Sequence, residues 1–255
     1  VTSPFLSAHW RHLVMLNYAV DPALFEPMVP KGVSLDLHEG RCYASIVAFL
    51  FQDTRVKGLA IPGHQDFEEL NLRFYVRRDV PDPTRGLDHR RGVAFVKEVV
   101  PLPTIAAVAR FLYNENYVAM PMRHHILSLE GQPRTGDDPL GRGDQVSFGF
   151  RTTDGTWGEV GATISGPAEA LVPGSHAHFI AEHYWGYARQ RNGGTVEYEV
   201  THRPWRVFPA EAPVLTGNIE ALYGPELARA LSGPPASVFV AEGSAVEVGH
   251  GTDLT

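Results

Sequence analysis

The sequence predicts a mainly β (α+β) protein, a mostly antiparallel barrel or sandwich with peripheral helices. Glycine (25) and proline (20) are frequent, as in a chain with many turns. The stretch Glu69-Leu70-Asn71-Leu72-Arg73-Phe74-Tyr75-Val76 alternates strictly, with the period of a strand. Helical patterns are scattered among roughly eight to ten strand-like runs, without the regular alternation of a doubly wound parallel sheet.

Residues 5–20 mix aromatic and aliphatic side chains. Asp21 then caps a short helix with Pro22 at its first position, and Pro27 and Pro30 end it. Residues 34–37, 42–51 and 69–77 read as strands, with Gly40 turning the first into the second. Pro62-Gly63 puts 58–65 in a loop, and the charged residues 79–91 read as another. Residues 92–100 form a strand stopped by Pro101 and Pro103. Thr104 caps a helix striped by Ile105, Val108, Ala109 and Leu112. Asp154-Gly155 joins 146–151 to 157–164 as a hairpin. Ser175 caps a helix expected to run to about Arg191, striped by Phe179, Ile180, His183 and Tyr187 and ended by Gly193-Gly194. Residues 195–200 and 205–208 read as an antiparallel pair, 218–231 as helix, and 237–248 as the last strand or strands. No linker or repeat cuts the chain, so 1–255 reads as one domain.

With 44% hydrophobic and 20% charged residues, the chain supports a substantial core. The charge balance, 22 − 29 = −7, argues against a nucleic-acid partner and against a surface drawn to anionic lipid. A single cysteine, Cys42, excludes an intrachain disulfide and a cysteine-rich zinc site. That suits a reducing compartment, and a cytoplasmic location is expected. No run approaches the roughly 20 apolar residues of a membrane span. The start, Val1-Thr2-Ser3-Pro4, lacks the features of a signal peptide. A homo-oligomer is compatible with the composition, and Trp157 and Trp205 are the aromatic residues that would mark an interface.

Phosphate-binding loops, G-x-S-x-G and H-E-x-x-H are all absent, so no cofactor is expected. Twelve histidines invite a metal hypothesis, but His124-His125 face opposite ways on a strand. His176-x-His178 lacks an acidic partner at fixed spacing, so no metal site is expected. His183, on an apolar stripe, reads first as a core histidine with a satisfied ring. Its neighbours Glu182, Tyr184, Trp185 and Tyr187 form an unusually polar and aromatic turn, and Glu115-Asn116-Tyr117 is a second polar cluster. Arg110 lies off its helix's apolar face and reads as solvent-exposed. Only three lysines occur: Lys31, Lys57 and Lys97. By alternation Lys97 shares a face with Val93, Phe95 and Val99, and its ordinary reading is a lysine snorkelling at the strand end.

These residues carry a family likeness over most of the chain. The sequence resembles the YqjF-like bacterial proteins, the domain-of-unknown-function family 2071. The specific carriers are Glu69 to Val76 (ELNLRFYV) and Glu182 to Tyr187 (EHYWGY). Weaker ones are Trp10-Arg11, Leu24 to Pro30, Phe67-Glu68, Arg91 to Phe95 and Ala109-Arg110. That family is similar, more distantly, to acetoacetate decarboxylase. The relation implies a cone-like antiparallel β-barrel around a small-molecule cavity, with a glutamate on an inward strand, and Glu69 is the matching position. The decarboxylase also uses one of two adjacent lysines to form an imine. The comparable stretch here, Arg110 to His124, contains no lysine, and Arg123 is no substitute because a guanidinium stays protonated. The resemblance therefore implies the fold without the imine.

The first function expected is an enzyme of lyase, hydratase or isomerase type acting on a small carbonyl or carboxylate compound. Glu69 would be the general acid/base and Arg73 would hold a carboxylate or polarise a carbonyl. Asn71, Tyr75, Arg110, Tyr117, His183, Tyr184 and Tyr187 are the candidates for orienting the ligand. The alternative is a non-catalytic binding protein in which Glu69 and Arg73 form a buried structural pair.

Overall fold

The computed structural model describes residues 3–84, 86–112 and 114–254, with no account of the side chains of 111 and 112. Strands make up 52% of the chain and helices 12%, so the sheet sets the architecture. Seven strands close a barrel. In spatial order they are Leu6–Val20, Cys42–Val56, Phe67–Asp82, Gly86–Val100, Trp185–Arg189, Thr195–His202 and Ala245–Val248, and the last pairs back to the first. The barrel is mixed: Trp185 and Gly186 run parallel to Gly92 and Val93, while the other barrel pairings are antiparallel. Closure removes the free edges that such long strands would otherwise expose.

A second sheet, built from Met122–Leu127, Gln145–Arg151, Trp157–Ile164 and Arg206–Leu215, covers the outside of the barrel. This packing explains the alternating stretch. Leu70, Leu72, Phe74 and Val76 point outward into one core with Phe148, Phe150 and Val160 of the second sheet. Burying each such side chain contributes about 1.5–3 kcal/mol. Glu69, Asn71, Arg73 and Tyr75 consequently point into the barrel.

The strand Gly86–Val100 contains a bulge that decides the site. Leu72 pairs with Lys97, but the next residue, Arg73, pairs with Phe95, leaving Val96 extra. One inserted residue reverses the facing of everything beyond it. Val93, Phe95 and Glu98 line the interior. Lys97 lies on the outer face, where its ammonium donates to the Leu222 carbonyl. The face shared by Val93, Phe95, Lys97 and Val99 in the sequence reading does not exist.

Several elements differ from the sequence reading. Residues 79–91 are a continued hairpin, paired out to Asp82 and Gly86. Asp79 faces His89 at 2.6 Å, while Arg78 and Arg90, like charges directly opposite each other, are both taken up by Glu197 of the strand Thr195–His202. The helix expected from Ser175 to Arg191 spans only His176–Ala181 and gives way to the strand Trp185–Arg189. There the β-favouring Tyr-Trp-Gly-Tyr run completes the barrel instead of continuing a helical stripe. Thr195–His202 and Arg206–Leu215 do not pair with each other; the first joins the barrel and the second the outer sheet. Gly224, at φ +86°, and Pro225 break 218–231 into Ile219–Tyr223 and Pro225–Ala230. Trp205 is buried, so it marks no interface, whereas Trp157 is 40% exposed. No helix is long and apolar enough to cross a membrane among the described residues.

Gly186 belongs to the Glu182–Tyr187 run and sits where no side chain fits. A Cβ there would lie 2.1 Å from Tyr198 Cζ, a ring on the paired strand. Gly186→Ala should therefore destabilise the fold by about 1–3 kcal/mol, the usual cost of overpacking. A drop in the urea midpoint with unchanged slope is the expected readout.

Candidate functional site

The barrel interior holds a cavity of about 510 Å³, within the range of small-molecule sites, ~300–1,000 Å³. Much of its wall is aromatic, including Trp10, Phe49, Phe51, Phe67, Phe95 and Trp205. The helix Pro103–Leu112 lies at the wall, contributing Ile105, Val108 and Ala109. The expected stripe residue Leu112 has a side chain outside the described set. Thr104 holds this helix to the facing loop through His64 Nε2, 2.6 Å from its hydroxyl.

The polar residues gather in one cluster. Glu69 is 3% exposed and accepts from Asn71 Nδ2 (3.1 Å) and the Tyr117 hydroxyl (3.1 Å). Glu98, brought inward by the bulge, lies directly across the strand pair from Asn71. Glu115 accepts from the Tyr198 hydroxyl. Three buried carboxyls thus line one cavity. Burial pushes Glu69 up to about 7, against the opposing pull of the Asn71 and Tyr117 hydrogen bonds and of the more distant Arg73 charge. Burial likewise raises Glu115 to about 8, and raises Glu98 well above the carboxylate range with added repulsion from Glu115 and Glu69. A Glu69 carboxyl that titrates near neutrality can both take and give a proton.

Arg73 lines the cavity, and its Nη2 donates to the Ile180 carbonyl at 3.2 Å. Its Nε has no hydrogen-bond partner. No ion pair within 4.0 Å joins Arg73 to Glu69 among the described residues, and Arg73 acts on Glu69 as a more distant charge. His183 also lines the cavity, from the loop after the helix His176–Ala181. Its Nε2 is 3.3 Å from Arg91 Nη2, and its ring lies 4.7 Å from that of Tyr75. Burial, with the Arg91 and Arg73 charges, holds its imidazole neutral well below the usual histidine range.

Of the expected site residues, Glu69, Asn71, Arg73, Tyr117 and His183 meet at the cavity. Four do not. Tyr75 is fully buried and its hydroxyl is spent on Ser45. Arg110 is exposed and donates back to Ala106 of its own helix. Tyr184 bonds Glu182 and stacks on His202, and Tyr187 is packed into the outer core with its hydroxyl on the Arg90 carbonyl. Glu98, Tyr198, His202 and Trp205 reach the site without any sequence signal that marks them for it. The bulge hides Glu98, and Glu115 stands out in the sequence only as part of a polar cluster. No lysine lines the cavity among the described residues.

The model of the family DUF2071, an uncharacterized conserved protein, matches residues 7–245. The chain belongs to this family. A curated relative is the uncharacterized protein YqjF of Bacillus subtilis (strain 168), 24% identical over 220 residues, covering 84% of this chain and 80% of YqjF. Solved structures share the fold of this DUF2071 member. An acetoacetate decarboxylase-like enzyme from Sphingomonas wittichii RW1 superposes with a TM-score of 0.63 at 14% identity, covering 100% of this chain and 94% of that one. The enduracididine biosynthesis enzyme MppR, complexed with pyruvate, gives 0.62 at 14% identity over 100% and 92%. Acetoacetate decarboxylase from Legionella pneumophila gives 0.63 at 10% identity over 99% and 88%. At these identities the likeness concerns the fold.

Proposed function

We propose that this DUF2071 member binds a small carbonyl or carboxylate compound in the barrel and that Glu69 moves a proton on it, in lyase, hydratase or isomerase chemistry without an imine. The observation that carries this reading is Glu69 itself. It is a buried carboxyl poised near neutrality, held by Asn71 and Tyr117 at the polar end of an otherwise apolar cavity. Arg73 Nε, a buried donor without a partner, is suited to receive the carbonyl or carboxylate oxygen. The reaction lacks an amine nucleophile because Lys97 is turned to the far side of its strand, on the Leu222 carbonyl. Fold neighbours that include a pyruvate complex are in keeping with this ligand class.

A thermal-shift screen of small keto and hydroxy acids tests the reading. A ligand at about 100 times its Kd adds about 2.7 kcal/mol, on the order of 5–10 °C for a chain of this size. Borohydride added with the stabilising compound should leave the protein mass unchanged. The absence of any shift across the screen would remove the reading, and a stable adduct on Lys97 would replace it with imine chemistry.

A further inference from the structure

Two polar atoms of the cluster have no hydrogen-bond partner. Asn71 Oδ1 and Glu98 Oε2 are buried without hydrogen-bond partners, on residues 2% and 1% exposed that both line the cavity. The two residues face each other across adjacent strands, so their side chains are immediate neighbours. A buried acceptor without a donor costs free energy that an arriving donor recovers. Asn71 cannot resolve this alone, because its amide nitrogen is committed to Glu69.

The acids of the cavity point the same way: burial and mutual repulsion keep their protons on, and an arriving cation lets Glu98 release its proton. Glu69, Glu98 and Glu115 converge there, while Arg73 is the only guanidinium or ammonium group in the wall among the described residues. A purely anionic ligand would add a fourth acid to this space. A hydroxyl would supply one donor and no charge. A protonated amine supplies three donors and one positive charge. Aromatic walls that include Trp10, Phe95 and Trp205 suit the apolar body of such a molecule and attract its cation.

We propose that the occupant of this cavity carries an ammonium group seated between Glu98 and Asn71, in addition to the carbonyl or carboxylate end received by Arg73. The ligand class is thus an amino-carbonyl or amino-acid compound with an apolar body. The inference rests on the proposed small-molecule site and narrows it.

Phenylpyruvate, phenylalanine and phenethylamine share a phenylethyl unit and separate the two functional groups. Each is titrated calorimetrically into the full chain and into Glu98→Gln. Phenylalanine should bind about tenfold or more tighter than phenylpyruvate, the scale of one hydrogen bond to a charged group. Phenethylamine should bind measurably without any carboxylate. In Glu98→Gln the preference for the amines should collapse while phenylpyruvate binds as well or better. Phenylpyruvate binding alone would overturn the ammonium inference and leave the proposed function standing. A preference for the amines that survives Glu98→Gln unchanged would overturn the assignment to Glu98. Binding by none of the three would overturn both readings.

Discussion

Under the proposed chemistry, Glu69→Gln should lower turnover by a factor of about 10² to 10⁴, the usual worth of a general acid or base, while ligand affinity and fold persist. The amide keeps the shape of the carboxyl and still accepts from the Tyr117 hydroxyl. Its new NH₂ meets Asn71, whose amide can turn so that Oδ1, now unpartnered, accepts from it. The substitution also removes one of three crowded acids, so the remaining two ionise more readily. Stability should therefore hold or rise. Had Glu69 and Arg73 formed a buried ion pair, breaking it would cost on the order of 3–5 kcal/mol. Kinetics and urea unfolding on the same variant separate the two cases. Full turnover in Glu69→Gln would remove Glu69 from the chemistry, and a loss of stability on that scale would restore the structural pair.

The second large effect is on the pH dependence of stability. The folded chain holds Glu69 at about 7 and Glu115 at about 8, and burial with the repulsion of its neighbours holds Glu98 well above the 4.5 of an ordinary glutamate. Above pH 4.5 the unfolded chain gives up these protons first. The folded state then binds more protons than the unfolded one, so stability falls as pH rises through the window from 4.5 to about 8. A tenfold difference in proton affinity between the folded and unfolded chain is worth about 1.4 kcal/mol, so the loss across the window is on the order of 3 kcal/mol even when the three acids share it. Buried histidines act in the opposite direction. Burial lowers His12 to about 4 and holds His183 and His202 below 6.5, so the unfolded chain gains protons first as pH falls below 6.5 and stability is lost on the acid side. The melting temperature should pass through a maximum near about pH 6. Glu98→Gln should flatten the alkaline limb and raise its melting temperature at pH 8 while leaving the acid limb in place. An unchanged alkaline limb in that variant would mean that the three carboxyls do not hold their protons in the folded state.

The legibility of this protein varies from one element to the next for identifiable reasons. The stretch Glu69–Val76 is readable because a strand buried on both sides, apolar outward and polar inward, keeps a strict period of two. The hairpin at Asp154-Gly155 is readable because its turn demands those residues. The run after Ser175 misleads because Phe179, Ile180, His183 and Tyr187 satisfy a helical spacing as well as a helix followed by a strand. Only pairing to Gly92 and Thr195–His202 decides between them. Residues 79–91 mislead because charge and proline suggest a loop, whereas Asp79 meets His89 across the hairpin and Glu197 of another strand takes up the facing Arg78 and Arg90.

By itself the sequence determined that this is a β-rich barrel-type chain, that an acid, an amide and a base stand in line on one strand face, and that lysines are too few and too badly placed to promise an imine. Tertiary structure alone decided which carboxyls share the cavity. A bulge is a relation between two strands, invisible along one of them, and the single extra residue at Val96 exchanged Lys97 for Glu98 inside the barrel. Glu115 and Tyr198 joined the same cluster from distant segments because closing the sheet brings them there. The proton affinity of Glu69 was likewise set by tertiary structure, since it comes from burial of the carboxyl inside the closed barrel.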